Sequence, residues 1–302
     1  MKAGLSLLIV FALLPGCSGQ PSAVECMRRA LEQPGLKYGR VAFGEVGHEP
    51  VFVQRGRWLG PPLDAVVPMA SLTKPLVAEQ VRLQISNEVI NLSDPVSVLL
   101  PQLRFDQSTG RVTVRQLLQH QAGFAVGKVD PVFAGGEPDC EFGAVLVAGR
   151  APDLAVGEQI SYSNAGYCLL GKVLLQKPEL LTEQMATTLH SSLGGAGGWQ
   201  SSLPQAYLAY RELLPIHDLS SSVTLADGSY YAYGWRHWPR QDSPRWTHFG
   251  RLAGMLSVAA SDGERRLLLA YFYGDPEDMD KAGVAAVQAL WACMPSVSDD
   301  AG

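Results

Sequence analysis

Apolar positions recur at two different periods along this chain, and the change of period divides it into parts. Val24, Met27 and Leu31 fall on one helical face behind Ser22, a residue suited to cap a helix. Two alternating stretches follow, about 38–46 and 50–58, and read as a pair of strands. From residue 71 the helical period takes over, at about 71–88, 94–101 and 113–121, then near 141–149, 165–176 and 181–191. Gly135-Gly136 and Gly194-Gly195-Ala196-Gly197-Gly198 punctuate this half, the second reading as a flexible connection. Strand-like patterning returns near Val223, over Ser229–Trp238, Leu252–Ala260 and Arg266–Phe272. A closing helix carries Val284, Val287, Trp291 and Met294 on one stripe, ahead of a polar tail.

Strands at both ends with helices between imply one sheet assembled from distant segments, with a helical lobe inserted. That is an α+β arrangement whose two lobes meet in a cleft. A single domain is expected over 22–295, with a sheet lobe about 22–70 and 223–295, a helical lobe about 71–222, and a disordered tail at 296–302. Residues 1–17 read as an export signal: Lys2 is the positive region, Leu5 to Leu14 the apolar core, and Leu14-Pro15-Gly16-Cys17 the cleavage region. The segment resembles a bacterial lipobox, which would make Cys17 the lipidated anchor of a periplasmic protein; ordinary cleavage after Gly19 is the alternative. It is too short to be a stable transmembrane helix.

Composition narrows the classes. A 47% hydrophobic content over 302 residues suffices for a large core. The net charge of -5, with no Lys/Arg cluster of more than a few residues, leaves no nucleic-acid footprint. A monomer acting on a small-molecule substrate is expected. With Cys17 processed, Cys26, Cys140, Cys168 and Cys293 remain, an even number that permits two disulfides in an exported protein. Pairing Cys26 with Cys293 would close a very long loop, worth ~4–5 kcal/mol in chain entropy. Four small buried thiols is the other reading. His48, His190, His217 and His237 lack metal-ligand spacing, and neither a metal nor a cofactor is expected.

The candidate chemistry lies in three short motifs. Ser71-Leu72-Thr73-Lys74 is the only Ser-x-x-Lys in the chain, and it opens a helical run. At that spacing the lysine lies on the serine's face, within reach of a hydroxyl that needs its proton removed to become a nucleophile. The helix start favours a developing anion, and Pro75 fits its first turn. Tyr162-Ser163-Asn164 precedes a second helical run. Its tyrosine would serve as a base if Lys74 lowered its pKa, and Asn164 could bridge Lys74 and a substrate amide. The same tripeptide also reads as plain helix-capping chemistry. His248-Phe249-Gly250 precedes the strand containing Gly254 and Met255. Gly250 would let a substrate approach the strand edge, the N–H of Arg251 would be an oxyanion donor beside that of Ser71, and His248 could hold a proton near the tyrosine or a substrate acid. His120, at a helix end, reads as structural.

In this order the three motifs resemble the serine β-lactamase and penicillin-binding protein superfamily, in its class C β-lactamase, D-stereospecific peptidase and esterase branch. Met69-Ala70-Ser71-Leu72-Thr73-Lys74-Pro75, Leu92-Ser93-Asp94-Pro95-Val96, Val112 to His120 with Gly123-Phe124, and Tyr231-Ala232-Tyr233-Gly234-Trp235 carry the likeness over about 26–294. The resemblance implies a β-lactamase/transpeptidase-like fold: an antiparallel sheet from both chain ends, flanked by helices. It implies acylation of Ser71, acid and base duty shared by Lys74 and Tyr162, and substrate binding by Asn164, His248, Gly250 and Arg251. His248 stands where many β-lactamases carry lysine, and Phe249 replaces the usual hydroxyl residue; Arg251 could compensate with a charged fork. The leading expectation is an exported β-lactamase. A D-alanyl-D-alanine carboxypeptidase, D-amino peptidase or carboxylesterase is the alternative, and a penicillin-binding sensor that acylates and stalls is the second.

Overall fold

Seven strands form one antiparallel sheet in the order β2-β1-β9-β8-β7-β6-β5. They are β1 (Leu36–Glu45), β2 (Val51–Arg55), β5 (Tyr230–Ala232), β6 (Trp235–His237), β7 (Trp246–Leu252), β8 (Met255–Ser261) and β9 (Arg266–Gly274). A small second sheet pairs β3 (Val67–Pro68) with β4 (Gln200–Ser201). The helices are α1 (Ala23–Ala30), α2 (Thr73–Ser86), α3 (Val96–Leu99), α4 (Val114–Leu118), α5 (Cys140–Ala148), α6 (Asn164–Leu174), α7 (Glu183–His190), α8 (Gly194–Gly197), α9 (Leu203–Arg211) and α10 (Met279–Trp291). This computed structural model describes residues 22–55, 61–125, 129–239 and 244–295; the expected signal peptide with Cys17 and the tail at 296–302 lie outside them.

The central strands are buried on both faces, which explains their nearly continuous apolar runs. Along β9, Leu268, Ala270 and Phe272 join Met27, Leu31, Val287 and Leu290 in a core under α1 and α10. The alternate residues Leu267, Leu269 and Tyr271 face the larger core shared with the helical lobe. Cys26 and Cys293 link α1 to α10, and Cys140 and Cys168 link α5 to α6, both as disulfides. The pairing of the two terminal helices is therefore realised, and the reading as free thiols is not.

Four local readings are corrected. The stretch Leu252–Ala260 is not one strand but the end of β7, a turn at Ala253-Gly254 and β8; His248-Phe249-Gly250 sits inside β7 rather than ahead of a strand. Ser229–Trp238 folds as the β5–β6 hairpin. Tyr233 and Gly234 at its tip both have positive φ (43° and 81°), the two-residue turn whose twist suits a hairpin. The glycine stretch is not a flexible connection: Gly194 to Gly197 form a buried helical turn, so closely packed that a Cβ on Gly195 would lie 2.4 Å from the Tyr167 carbonyl. Gly195 is required because the backbones of α6 and α8 touch there. Helix α9, begun by a Ser202 cap and Pro204, went unread in the sequence.

Candidate active site

Ser71 lies in a 3₁₀ turn, Ala70–Leu72, that runs directly into α2. The turn is strained and heavily tied. Ala70 has φ 49°, a left-handed conformation that costs a residue with a Cβ ~1–2 kcal/mol. Thr73 Oγ1 donates to the Ala70 carbonyl at 2.7 Å and accepts from Trp199 N at 3.0 Å. Met69 N donates to Trp199 O at 2.9 Å, and Ser257 Oγ of β8 donates to Met69 O at 2.8 Å. The Tyr210 hydroxyl, from α9, donates to the Leu72 carbonyl. These bonds hold the serine where the two lobes meet.

Lys74 is completely buried. Its Nζ lies 3.0 Å from Ser71 Oγ, 2.7 Å from Asn164 Oδ1 and 2.7 Å from the Ala196 carbonyl of α8. Burial brings its pKa down to about 7, against an opposing pull from the Asp130 carboxylate. The two carbonyl oxygens can only accept. In the neutral amine they take its two hydrogens, and the lone pair is left for the Ser71 hydroxyl. The Asn164 orientation is itself fixed, because its Nδ2 donates to Asp130 Oδ2 at 2.8 Å. Asp130 also caps the following 3₁₀ turn through Val132 N at 2.9 Å.

Tyr162 sits across the serine from Lys74, with Nζ 4.9 Å from the centre of its ring. Its hydroxyl lies 3.4 Å from His248 Nε2, and its ring packs on His120 at 4.4 Å and Tyr231 at 5.8 Å. The expected lowering of its pKa does not occur. Burial pushes the phenol far up, the Ser71 hydroxyl pulling the other way but by less. Tyr162 is a neutral phenol, not a phenolate. Ser163 caps α6 through Gly166 N at 3.1 Å, so the capping reading of this tripeptide holds alongside the chemical one.

His248 is buried, and burial together with Lys74 brings its pKa down to about 3. It is a neutral imidazole, so it puts no cation where many β-lactamases carry one. Its neighbour Gly250 is required by contact. A Cβ there would stand 2.2 Å from Ser257 Oγ, 2.5 Å from Met69 O and 3.0 Å from Ser71 N, so β7 passes directly against the nucleophile turn. Arg251 reaches the cleft but is paired with Asp280 of α10. His120 is structural as expected: its Nδ1 accepts from Ser163 N at 3.1 Å, and burial holds its pKa well below the usual histidine range.

The cleft encloses about 420 Å³ beside Ser71. Sequence reasoning missed several of its parts. Arg236 is one, held by Ser229 Oγ at 2.9 Å and Asp227 Oδ2 at 2.7 Å, with its guanidinium 4.1 Å from the centre of the Trp238 ring. Asp280 is another, and Asp130 stands behind Asn164. Asp130-Pro131 offered only a turn signal, and the Ala196 carbonyl offered none, since a backbone oxygen leaves no trace in residue type.

Residues 40–199, more than half of the chain, match the Beta-lactamase family. The fold is shared with a D-stereospecific amidohydrolase from Streptomyces sp. (18% identity, TM-score 0.64, covering 88% of this chain and 97% of that one). The D-amino acid amidase from Ochrobactrum anthropi SV3 aligns at 16% identity and TM-score 0.67, over 90% of this chain and 100% of its own. A Beta-lactamase/D-alanine Carboxypeptidase from Yersinia pestis aligns at 15% identity and TM-score 0.66, over 90% and 98%. No curated protein matches by sequence. At these identities the solved structures speak for the fold alone, and the sequence match speaks for the lineage: the chain belongs to the beta-lactamase family of serine hydrolase fold.

Proposed function

We propose that this protein is a hydrolase that cleaves amides or esters through an acyl-Ser71 intermediate, with Lys74 as the base. The observation that carries the reading is the cradle of Lys74. Two carbonyls claim its hydrogens, and burial brings its pKa to about 7, so that from neutral pH upward the unprotonated amine aims a lone pair at Ser71 Oγ. In acylation Ser71 Oγ attacks the carbonyl carbon as its proton passes to Lys74 Nζ. The negative charge on the carbonyl oxygen is met by the N–H groups of Ser71 and Arg251. The carbonyl re-forms as the bond to the leaving group breaks, and the proton on Lys74 reaches the departing nitrogen or oxygen through the neutral phenol of Tyr162. Deacylation repeats the sequence with water as the nucleophile, again through Tyr162 and Lys74.

The substrate reading follows from what faces the cleft. His248 is neutral, Phe249 has no hydroxyl, and Arg251 is already engaged by Asp280. A carboxylate beside the scissile bond therefore meets little free positive charge, which favours uncharged esters and amides, D-amino acid amides among them. A β-lactamase is the second reading, favoured by the two guanidinium groups, Arg236 and Arg251, that line the same cleft. The two disulfides support export to an oxidising compartment, the periplasm, with or without a lipid on Cys17.

A parallel assay tests this, using p-nitrophenyl acetate, a D-amino acid amide, a D-Ala-D-Ala peptide and a chromogenic cephalosporin. The ester or the amide is expected to show the highest kcat/KM, with a transient adduct on Ser71 seen by mass spectrometry. A clear preference for the cephalosporin would establish the second reading. A permanent adduct without turnover would make the protein a sensor, and no adduct from any substrate would reject the nucleophile.

A further inference from the structure

The two carbonyls that hold Lys74 come from different elements, Asn164 from the first turn of α6 and Ala196 from α8. Behind them, outside the cleft, lies the disulfide between Cys140, the first residue of α5, and Cys168 of α6, with Cα atoms 5.3 Å apart. Cys168 is one helical turn beyond Asn164 on the same helix. Cys140 grips the segment leading into α8 in two ways. Its N–H donates to Ser192 O at 2.7 Å, and its sulfur presses on Gly194, where a Cβ would lie 2.8 Å away. Helix α5 also locates the turn that begins at Asp130. Asp139 N donates to Val132 O at 2.8 Å, and a Cβ on Gly143 would meet Val132 at 2.9 Å. Both partners of Lys74, and the carboxylate that orients one of them, are thus anchored to the helices this disulfide joins.

We propose that the Cys140–Cys168 disulfide is a positioning element for Lys74, tying α5, α6 and α8 together so that the Asn164 and Ala196 carbonyls stay aimed at the amine. The proposal rests on Lys74 acting as the base. Helix α8 is four residues long, three of them glycine, and has little propensity to keep its shape without such a tether. The titratable groups that face Lys74 are Asp130, His120, Tyr162, Tyr167 of α6 and His248 of β7. Of these, only Asp130 favours its charged form by charge. Release of α8 would admit water and raise the affinity of Lys74 for a proton, since burial is the main influence that lowers it. The two cysteines border a surface cavity of about 300 Å³ that Lys172, His190 and Ser191 also line.

The test compares kcat/KM for p-nitrophenyl acetate between pH 5 and 9 in three proteins: wild type, Cys140→Ala/Cys168→Ala, and Cys26→Ala/Cys293→Ala. Wild type is expected to lose rate on the acid side with a midpoint near the Lys74 pKa of about 7. The Cys140/Cys168 variant should show that midpoint raised by about one unit, a roughly tenfold loss of rate below both midpoints. The Cys26/Cys293 variant loses the bond across the longer separation, 267 residues against 28, and should lose thermal stability while its midpoint stays at the wild-type value. Coincident midpoints in all three proteins overturn the proposal and leave Lys74 as the base. A wild-type profile without an acid limb, or one that survives Lys74→Ala unchanged, overturns the base reading and the proposal with it. If Cys140→Ala/Cys168→Ala fails to fold, the folded Cys26→Ala/Cys293→Ala protein is titrated before and after reduction by dithiothreitol, and an unmoved midpoint counts against the proposal in the same way.

Discussion

Substitution of Asp130 by asparagine separates two influences on the candidate base. The carboxylate reaches Lys74 through Asn164: two hydrogen bonds of 2.8 and 2.7 Å in series place its charge roughly 7 Å from the amine. At an effective dielectric of about 20, Coulomb's law gives ~2 kcal/mol for that pair, and solvent screening of the partly exposed carboxylate reduces it to about 1 kcal/mol, near one pK unit. Asp130 raises the pKa of Lys74, so its loss must lower it. In Asp130→Asn the acid limb of kcat/KM should therefore move down by about one unit from a wild-type midpoint of about 7.

The plateau should fall at the same time. Asp130 accepts two hydrogen bonds on different oxygens, from Val132 N on Oδ1 and from Asn164 Nδ2 on Oδ2, and an asparagine puts its carbonyl at one of those places and its NH₂ at the other. If the substituted side chain keeps the cap, it turns its NH₂ toward Asn164. That amide must then turn over and present hydrogens, not oxygen, to Lys74, and the lone pair is drawn away from Ser71. A misdirected base costs on the order of 10²–10⁴ in rate. The assay is the pH profile of p-nitrophenyl acetate hydrolysis in both proteins. A midpoint that stays fixed or rises would refute the electrostatic reasoning, and a plateau at the wild-type level would refute the orientation argument.

Ser71→Ala should abolish turnover of every substrate while leaving Tm nearly unchanged, and hydrolysis by that variant would displace the nucleophile. Gly250→Ala forces a methyl to within 2.2 Å of Ser257 Oγ and 2.5 Å of Met69 O. Overpacking there should cost ~1–3 kcal/mol of stability and at least about a hundredfold in acylation, read by thermal melts and adduct formation. Asp280→Ala frees Arg251 from its ion pair, so KM for a carboxylate-bearing cephalosporin should fall relative to that for p-nitrophenyl acetate, with the opposite outcome for Arg251→Ala. Equal effects on both substrates would reject the role of that pair in the cleft.

Much of the fold was legible because periodicity reports burial. The helical stripes at 71–88, 165–176 and in the closing helix, and the strands at 38–46 and 266–272, coincide with real elements to within a few residues. The failures share a cause: local chemistry that a tertiary contact overrides. Ala253-Gly254 turns the chain between β7 and β8, yet no polar residue stands between Leu252 and Met255 to mark it. The Gly194–Gly197 run carries the composition of a linker, but it is a buried helical turn that packs closely on its neighbours, Gly195 against the backbone of α6 and Gly194 against Cys140. Helix α9 buries Leu203, Ala206, Tyr207 and Tyr210 on one face, but two of the four are tyrosines, Tyr210 holding the Leu72 carbonyl, and Leu208 on the outer face blurs the contrast.

The site divides along the same line. Ser71, Lys74, Tyr162, Asn164 and Gly250 could be picked out because each offers its own side chain, or the lack of one, at a motif with fixed spacing. What sets the state of Lys74 could not. Its pKa follows from complete burial and from the remote charge of Asp130, and its aim follows from a main-chain oxygen in a glycine-rich turn. The same holds for the tyrosine. Sequence put a cation beside it and so anticipated a phenolate, but the burial that brings the amine down to about 7 also keeps the phenol protonated. Spacing selects the residues that can react, and desolvation decides which of them carries the proton.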